Sequence, residues 1–464
     1  MMGKRVMAEP LFETVRIDDY LPADHLLRAV DALLDTAFVR GIMAPHYSLI
    51  GRPLIDPELM VRMLLVGYLG GIRSERKLCA GMHLNLAHRW FCRLGMGDAV
   101  PNHSTFSKNR HRRFRDGAVF RAVFEQVVHR CAEAGLVPGA SAAVDGSQVD
   151  ADASRRKRLP GDRVPEAWTT DRKAQARPVR EHLDALDAAV PPGPDEPRHD
   201  APKYLLPTDP GAAWSIKHGV GVFAYETNLL VDTAHGIIVD VEATPARLSQ
   251  EIAAAKTMLA RAAGAFGFAP SCLGADKSYG TGPFLTWLLA RGVTPHVPVL
   301  DRTAQTSGLF TRERFIYLET EDAWRCPAGH LLHRAGLDRS TGMQKYLART
   351  TDCQACPLKD QCTTGQRRGI SVSIHEPARK AVQALASTTA YAQSRRRRQK
   401  VEMLFAHLKQ QFGLRRLRLR GLQGAAEIPC CGSSRKKGIR RRFECFLGAD
   451  HGVGIDQQLA SDGN

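Results

Sequence analysis

The alternation of β-rich and helical segments between residues 141 and 299 constrains the fold of this chain more than any other feature. Two β-rich runs flank His235 and Gly236, a turn that joins them into an antiparallel hairpin. The predicted elements are a short strand within 141–149 that ends at Asp145 and turns at Gly146, the hairpin at 219–246, a helix at about 248–264, a strand ending near Asp276, a helix at about 282–291 and a strand at 294–299. This order predicts an α/β fold, a mixed sheet with helices packed on it.

Residues 1–135 predict an all-helical domain. The segment PNHSTFSKNRHRRFRD indicates a helix that His103 or Ser104 caps and that Phe106 and Phe114, about two turns apart, anchor. The cations predicted to point outward from it are Lys108, Arg110, Arg112, Arg113 and Arg115. They suit phosphate contact or insertion into a major groove, although an ordinary solvated helix face has nearly the same pattern.

The charge balance favours a polyanionic partner. Lys and Arg total 65 against 48 Asp and Glu, a formal charge of +17. Nucleic acid fits this charge better than a membrane surface, since no apolar run approaches the roughly 18–20 residues that span a bilayer. The start of the chain lacks the apolar region of a secretory signal, so we expect a cytoplasmic, nucleoid-associated protein.

Three carboxylates suggest metal-dependent chemistry. Asp145 and Asp276 are each predicted at the end of a short apolar strand, where functional residues gather in open α/β sheets. Glu402 is predicted on a helix, where Arg398 and Lys409 share its face. Carboxylates that converge from separate elements hold Mg²⁺, and such cations serve phosphoryl transfer at a DNA phosphodiester.

Each of these acids has a plainer interpretation when it is taken alone. An Asp after a strand is commonly a turn or cap residue, and a helical Glu beside arginines is usually a surface ion pair. The joint pattern of three favours the metal site. Four neighbouring acids are predicted to be surface or turn residues: Asp150, Asp152, Asp240 and Glu242.

A cysteine cluster lies in the segments RCPAGH and DCQACPLKDQC. Paired cysteines with two more nearby resemble a structural zinc site, since tetrahedral Zn²⁺ favours four thiolates. The predicted ligands are Cys326, Cys353, Cys356 and Cys362. A small iron–sulfur site or reduced thiols would give the same spacing, and His330 is an alternative ligand.

Several stretches resemble the bacterial insertion-sequence transposases of the acidic-triad (DDE) class: AVDGSQVDADAS, LLVDTAHGIIVDVEATPAR, GADKSYGTGPFLTWLLARGVTPHVPV and RRRRQKVEMLFAHLKQQFGLRRLRLRG. Two earlier stretches, GRPLIDPELMVRMLLVGYLGGIRSERKL and VPNHSTFSKNRHRRF, resemble the InsH-type helical domain that precedes the catalytic domain in that family. The resemblance extends over nearly all of residues 10–427.

The resemblance implies a ribonuclease-H-like catalytic core in which Asp145, Asp276 and Glu402 bind Mg²⁺ or Mn²⁺. It also implies that Arg398 and Lys409 are the basic partners around the glutamate. Implied partners are double-stranded DNA, both terminal inverted repeats and target, and further copies of the chain in a homo-oligomeric synaptic complex. The sequence departs from the family at position 395, where many relatives have Tyr and this chain has Arg.

The domain boundaries that follow begin with a helical DNA-binding domain at 1–135. The first part of the core is 136–299, with a mobile insertion at 153–213, and the cysteine-rich insertion is 300–370. The C-terminal core helices are 371–427, and the tail is 428–464. The resemblance stops abruptly before the tail, which has no sustained apolar period. The tail is therefore either a disordered basic extension or the product of a frameshift, and we favour the frameshift. A helix missing behind Glu402 would weaken the core and reduce activity.

Three functions fit the sequence. The first is a transposase that binds terminal inverted repeats, cleaves DNA with divalent metal and transfers the strands. The second is a related metal-dependent nuclease. The sequence barely distinguishes this nuclease from the transposase. The third is a catalytically inactive DNA-binding regulator of the element, which the atypical tail favours.

Overall fold

A computed structural model describes residues 16–48, 50, 54–114, 117–161, 165–188, 202–217, 219–246, 250–299, 308–339, 342–411 and 413–426. The predicted tail and Arg115 lie outside these residues. The chain divides into two compact units. The first comprises Met1–Gly135, His407–Leu414 and Gln423–Asn464, and the second comprises Leu136–Ala406 and Arg415–Leu422.

The first unit is helical in its described N-terminal part, as the sequence predicts. Its helices are α1 (Ile17–Tyr20), α2 (Leu26–Leu33), α3 (Ala37–Met43), α4 (Pro57–Leu69), α5 (Glu75–Leu84), α6 (Leu86–Phe91), α7 (His103–Arg112) and α8 (Ala118–Glu133). Helix α4 is the central one, because nearly all of its side chains are buried. Helix α7 is capped by Asn102, whose side chain accepts a hydrogen bond from the Ser104 amide, so the predicted cap at His103 or Ser104 was wrong by one or two residues.

The second unit contains two larger sheets and a two-stranded ribbon. Its strands are β1 (Ser141–Asp150), β2 (Leu159–Pro160), β3 (Tyr204–Leu205), β4 (Ala213–Lys217), β5 (Val220–Asp232), β6 (Ile237–Pro245), β7 (Cys272–Gly274), β8 (Thr294–His296), β9 (Ile316–Leu318), β10 (Ala323–Arg325), β11 (Leu331–Asp338), β12 (Met343–Ala348) and β13 (Gly369–Ser373). The ribbon pairs β2 with β3.

The six-stranded sheet has the mixed character that the sequence predicts. Strand β5 pairs antiparallel with β1, and β4 and β6 pair with successive halves of β5. Strands β1, β7 and β8 are parallel neighbours. The predicted hairpin turn lies between β5 and β6, where Gly236 adopts a φ of 72° that few other residues tolerate.

The helices of the second unit are α9 (Glu166–Thr170), α10 (Arg177–Ala188), α11 (Gln250–Phe266), α12 (Gly282–Leu289), α13 (Thr350–Gln354), α14 (Lys359–Cys362), α15 (Glu376–Leu385) and α16 (Thr389–Gln411), the last of which continues into the first unit. Helix α11 packs on β6, β5 and β1, and α12 packs on α15 and β8. Among the described residues, no helix has the length and apolar character needed to cross a membrane.

The predicted mobile insertion at 153–213 is folded where it is described. Its helices α9 and α10 bring Trp168, Val179 and Leu183 into a small buried cluster with Leu205 of β3. The sequence signal was misleading because a high proline and charge content hid the few apolar residues that pack together. Residues 162–164 and 189–201 lie outside the described part of this segment.

The five-stranded sheet runs in the order β13-β12-β11-β10-β9 and is antiparallel throughout. It forms most of the segment predicted as the cysteine-rich insertion, and β13 continues three residues past the predicted boundary at 370. Its buried core is small and consists of Phe315, Leu332, Tyr346, Ala348, Cys362 and Ile370.

Candidate active site

Two strands of the six-stranded sheet carry Asp145 and Asp276. Asp145 lies in the middle of β1 and pairs with Leu229 of β5, so the predicted end of the strand at Gly146 was wrong. The long β5 keeps β1 extended to Asp150. On the other side, however, β7 pairs only as far as Ala143. Asp145 therefore lies just beyond the point where the parallel half of the sheet ends, a place where functional residues commonly gather in α/β sheets.

Asp276 follows β7 by two residues, as predicted, and its carboxylate is held by local hydrogen bonds. The backbone amide of Ser278 donates to Asp276 Oδ1 at 2.8 Å, and the Ser278 hydroxyl donates to the same oxygen at 2.6 Å. The Ser278 hydroxyl also lies 2.8 Å from Glu251 Oε2 on α11. Ser278 thus links two carboxylates from different elements.

Helix α16 is fixed against the same sheet by three contacts. The Tyr391 and His296 rings meet edge to face with centroids 5.6 Å apart. The Lys400 ammonium donates to the Thr233 carbonyl at 2.9 Å, at the β5–β6 turn. A Cβ atom at Gly274 would lie 3.0 Å from the buried Ser394 hydroxyl oxygen, so glycine at the end of β7 permits the close approach of the helix.

Glu402 lies on this helix with its side chain 57% exposed, and its carboxylate is 3.3 Å from the Arg398 guanidinium. The i,i+4 ion pair that the spacing allows is therefore present. Lys409 lies further along α16, in the part of the helix that belongs to the first unit. The tyrosine position of relatives is occupied by the exposed Arg395, and the nearest aromatic residue of α16 is Tyr391, one turn earlier.

The electrostatics bring the three predicted acids together. The pKa of Asp145 is raised to about 6, chiefly by burial and then by the negative charges of Asp276 and Glu402, while Arg398 opposes them. Charge effects of this kind weaken with distance and solvent exposure, so Asp276 and Glu402 both lie within electrostatic range of Asp145.

Sequence reasoning missed two further acids and a tyrosine in this neighbourhood. The pKa of Glu226 on β5 is raised to about 8, chiefly by burial. The charge of Glu251, a hydrogen bond with Glu251 and the charges of Asp145 and Asp276 also raise it. A Cβ atom at Gly146 would lie 3.0 Å from Glu226 Oε1, so this carboxylate lies directly beside β1.

The tyrosine is Tyr279, which is fully buried and whose hydroxyl has no hydrogen-bond partner within the described residues. Burial raises its pKa well above the ordinary value, and the charges of Glu251, Asp145, Glu226 and Asp276 add to the effect. The alternation of buried side chains along β5 gives no sign that Glu226 faces an active site. Only the packing of α11 beside β1 brings the acids together.

The donor set suits a hard cation, because several oxygen anions lie near one another with Arg398 as the cation that acts on Asp145. Within the described residues, no three or more His, Cys, Asp or Glu side chains are already gathered closely enough to enclose a metal ion.

The four neighbouring acids that were predicted as surface or turn residues divide into two kinds. Asp150 is exposed and Asp152 is half-buried. Asp240, in contrast, is fully buried and forms an ion pair with Arg261 Nε at 2.8 Å, so its prediction was wrong. Glu242 lies 2.7 Å from the same guanidinium. These two acids bind the hairpin to α11 rather than joining the active site.

The predicted cationic face of α7 is smaller than expected. Phe106 and Phe114 are buried as predicted, and Lys108 and Arg112 are exposed. Arg110 is buried instead, and its guanidinium donates to the Tyr68 hydroxyl at 2.6 Å, so its outward orientation was predicted wrongly. The helical period alone could not reveal this, because a long cation can reach inward to a buried anion or hydroxyl.

Arg113 of this surface is partly engaged within its own unit. Its Nε donates to the His46 carbonyl at 2.9 Å and its guanidinium lies over the Tyr47 ring, 5.3 Å from the centroid. A further exposed cationic run occurs on α16 of the second unit, at residues 395–397 immediately before Arg398.

Comparisons with known families match both ends of the chain. Residues 15–112 match a transposase domain (DUF772), and residues 325–427 match a transposase DDE domain. No curated protein sequence matches the chain. The first range includes α7, and the second includes Glu402 and the four clustered cysteines, whereas Asp145 and Asp276 lie between the two ranges.

Proposed function

We propose that the chain is an insertion-sequence DDE transposase that binds the terminal inverted repeats of its element, cleaves DNA and joins the ends to a target. The observation that carries the proposal is the match of residues 325–427, which include Glu402, to a transposase DDE domain. The mixed strand order of the six-stranded sheet supports a ribonuclease-H-like fold for this part of the chain.

Asp145, Asp276 and Glu402 would hold Mg²⁺ or Mn²⁺, which supplies charge neutralisation at the phosphate and activation of the attacking hydroxyl. The side chains around them prepare this site. Ser278 orients the Asp276 carboxylate through its amide and hydroxyl. Arg398 pairs with Glu402 and lowers the pKa of Asp145, which favours the anionic form that binds a cation.

We propose that Glu226 and Glu251 extend this set to five carboxylates. The charge of Glu251 and a hydrogen bond with it both raise the pKa of Glu226, which supports the placement of these two carboxylates side by side. Ser278 joins Glu251 to Asp276, so a change in one carboxylate is transmitted to the other. Burial of Tyr279 beside these acids excludes water, which strengthens electrostatic interactions within the site.

DNA contact is assigned to exposed cations on two helices. Lys108 and Arg112 on α7 are exposed and are assigned to phosphate contact. Arg113 is assigned to the same surface, and its Nε also donates to the His46 carbonyl. The run at 395–397 and Arg398 on α16 are assigned to the DNA backbone near the scissile phosphate. Lys409, which belongs to the first unit, is assigned to the DNA backbone without a place relative to that phosphate. Holding two DNA ends for joining supports a homo-oligomer, and a DNA substrate supports association with the nucleoid.

The test incubates the full chain and a DNA end that carries the terminal repeat with Mg²⁺ or Mn²⁺. Asp145→Asn is compared with Asp152→Asn, a matched change of a carboxylate outside the cluster. We expect nicked and joined products with the wild type and the Asp152 variant, and none with the Asp145 variant.

Each result has a distinct meaning. Cleavage that survives in Asp145→Asn would overturn the site assignment. Cleavage without joined products would favour the metal-dependent nuclease. Repeat-specific binding without cleavage by the wild type, under either metal, would favour the inactive regulator of the element.

A further inference from the structure

The cysteine cluster of the five-stranded sheet forms a pocket that transposition chemistry does not use. Cys326 lies in the turn between β10 and β11, whereas Cys353 and Cys356 lie around α13 and Cys362 ends α14. All four thiols line one cavity, which His330 also borders. The structure therefore brings together two sequence segments that are separated by β11 and β12.

The backbone around these thiols is folded in short loops. The Cys326 amide donates to the His330 carbonyl at 2.8 Å, and the Gly329 amide donates to the Cys326 carbonyl at 2.9 Å. The Arg368 amide donates to the sulfur of Cys353 at 3.3 Å.

Positive charge lies beside the four sulfurs, because Arg368 lines the same pocket. The Arg368 guanidinium donates to the Cys362 carbonyl at 2.7 Å and to the Phe310 carbonyl at 2.8 Å. Arg368 therefore lies where it would offset the excess negative charge of four thiolates on one divalent ion.

The surrounding sheet also needs a stabilising cross-link. Its core cluster has six buried residues, of which Cys362 is one, and Cys326 and Cys353 pack against it. A core of this size rarely stabilises a module without a disulfide or a metal. All eight described cysteines are free, so no disulfide supplies the cross-link there.

We propose that Cys326, Cys353, Cys356 and Cys362 bind one structural Zn²⁺ ion that ties the β10–β11 turn to α13 and α14. In the metal-free fold of the described residues, the four thiols line the pocket without forming a closed cage. Loss of four thiol protons and bonds of about 2.3 Å to the metal would pull them inward. We assign four sulfurs, because His330 is 46% exposed and its Nδ1 lies 3.9 Å from Asp352.

The first experiment measures the zinc content of the full chain, purified and then exposed to zinc, by atomic mass spectrometry. We expect one zinc per chain in the wild type and none in the Cys353→Ser/Cys356→Ser variant. The matched control replaces the three tail cysteines, Cys430, Cys431 and Cys445, with serine and is expected to retain the full zinc content. Zinc retained by the pocket variant, or lost from the tail variant, would overturn the assignment.

A cobalt substitution distinguishes the alternatives without depending on the stability of a variant. Metal-free wild type is loaded with Co²⁺, and its visible spectrum is expected to have the strong bands of tetrahedral thiolate ligation. His330→Ala is expected to leave those bands unchanged, whereas Cys326→Ser weakens them. A wild type that takes up neither zinc nor cobalt, or that retains iron and sulfide instead, would refute the proposal.

Discussion

The carboxylate site and the cysteine pocket are both proposed to bind metal ions, but the chain assembles them in different ways. The carboxylates come from β1, β5, α11, the end of β7 and α16, so their meeting depends on the whole six-stranded sheet. The thiols come from residues 326–362, within a single antiparallel module. Oxygen ligands leave Mg²⁺ able to exchange waters for substrate, whereas four thiolates close a zinc site. We therefore propose a role in chemistry for the carboxylates and a role in stability for the cysteines.

The largest expected effect separates chemistry from stability. We expect Glu402→Gln to reduce DNA cleavage by about 10²–10³-fold, the usual loss on removing one group that stabilises transition-state charge. Since Glu402 is 57% exposed, the thermal midpoint should change little. Cleavage assays and thermal melting of the same preparations check this, with Glu313→Gln as an exposed control. A large fall in the midpoint would show that Glu402 supports the fold instead.

Removing one thiol from the cysteine pocket should change the thermal stability. Cys353→Ser should lower the thermal midpoint of the wild type by roughly 5–15 °C, because losing a metal cross-link destabilises a small module. A zinc chelator should lower the midpoint of the wild type and not that of the variant. Equal chelator sensitivity in both proteins would contradict the comparison, as would a variant that melts like the wild type.

Removing an outer carboxylate tests how far the catalytic site extends. Glu251→Gln should weaken Mn²⁺ binding by about 10–100-fold, the range for groups that orient metal ligands. The physical reason is its link to Asp276 through the Ser278 hydroxyl. Calorimetric titration with Mn²⁺ measures the change, and Glu242→Gln provides a control that touches Arg261 instead. An unchanged affinity would restrict the site to the three acids of the sequence pattern.

Metal binding at the carboxylate site should depend on pH through Asp145. The pKa of Asp145 is about 6 in the folded, metal-free protein, above its ordinary value of 3.8, so folding favours the protonated form. The protonated carboxyl group of Asp145 therefore stabilises the fold at low pH, and this contribution to stability is lost as pH rises through about 6. Mn²⁺ needs the anion, so its affinity should fall as pH drops through about 6. Titrations at several pH values test this, and Asp145→Asn should remove most of the slope.

The smallest expected effect concerns the basic helix. Arg112→Ala should weaken DNA binding a few-fold and reduce the salt dependence by about one phosphate contact. Arg110→Ala should instead lower stability, since the guanidinium is buried against Tyr68. Binding titrations at several salt concentrations, with thermal melts, separate the two variants. If Arg112→Ala and Arg110→Ala had the same effects on DNA binding and on the thermal midpoint, the assignment of Arg112 to DNA contact and of Arg110 to stability would be contradicted.

Much of this architecture could be predicted from local patterns. Periodicity located α11 and α12 within a few residues, because each has an apolar face long enough to specify a helix. The hairpin followed from one turn glycine. The strand that carries Asp145 was predicted too short, because polar residues follow Gly146 and only pairing with β5 keeps them extended.

The sequence by itself determined which residues could bind metals and in which elements they lie, since ligand type and spacing are local properties. It singled out Asp145, Asp276 and Glu402, and the cysteines now proposed to bind zinc. Only the tertiary structure decided that Glu226 and Glu251 lie beside them, that Asp240 pairs with Arg261 and that Arg110 faces inward. The charge, burial and hydrogen bonding of these side chains depend on partners far along the chain, and no local pattern encodes such distances.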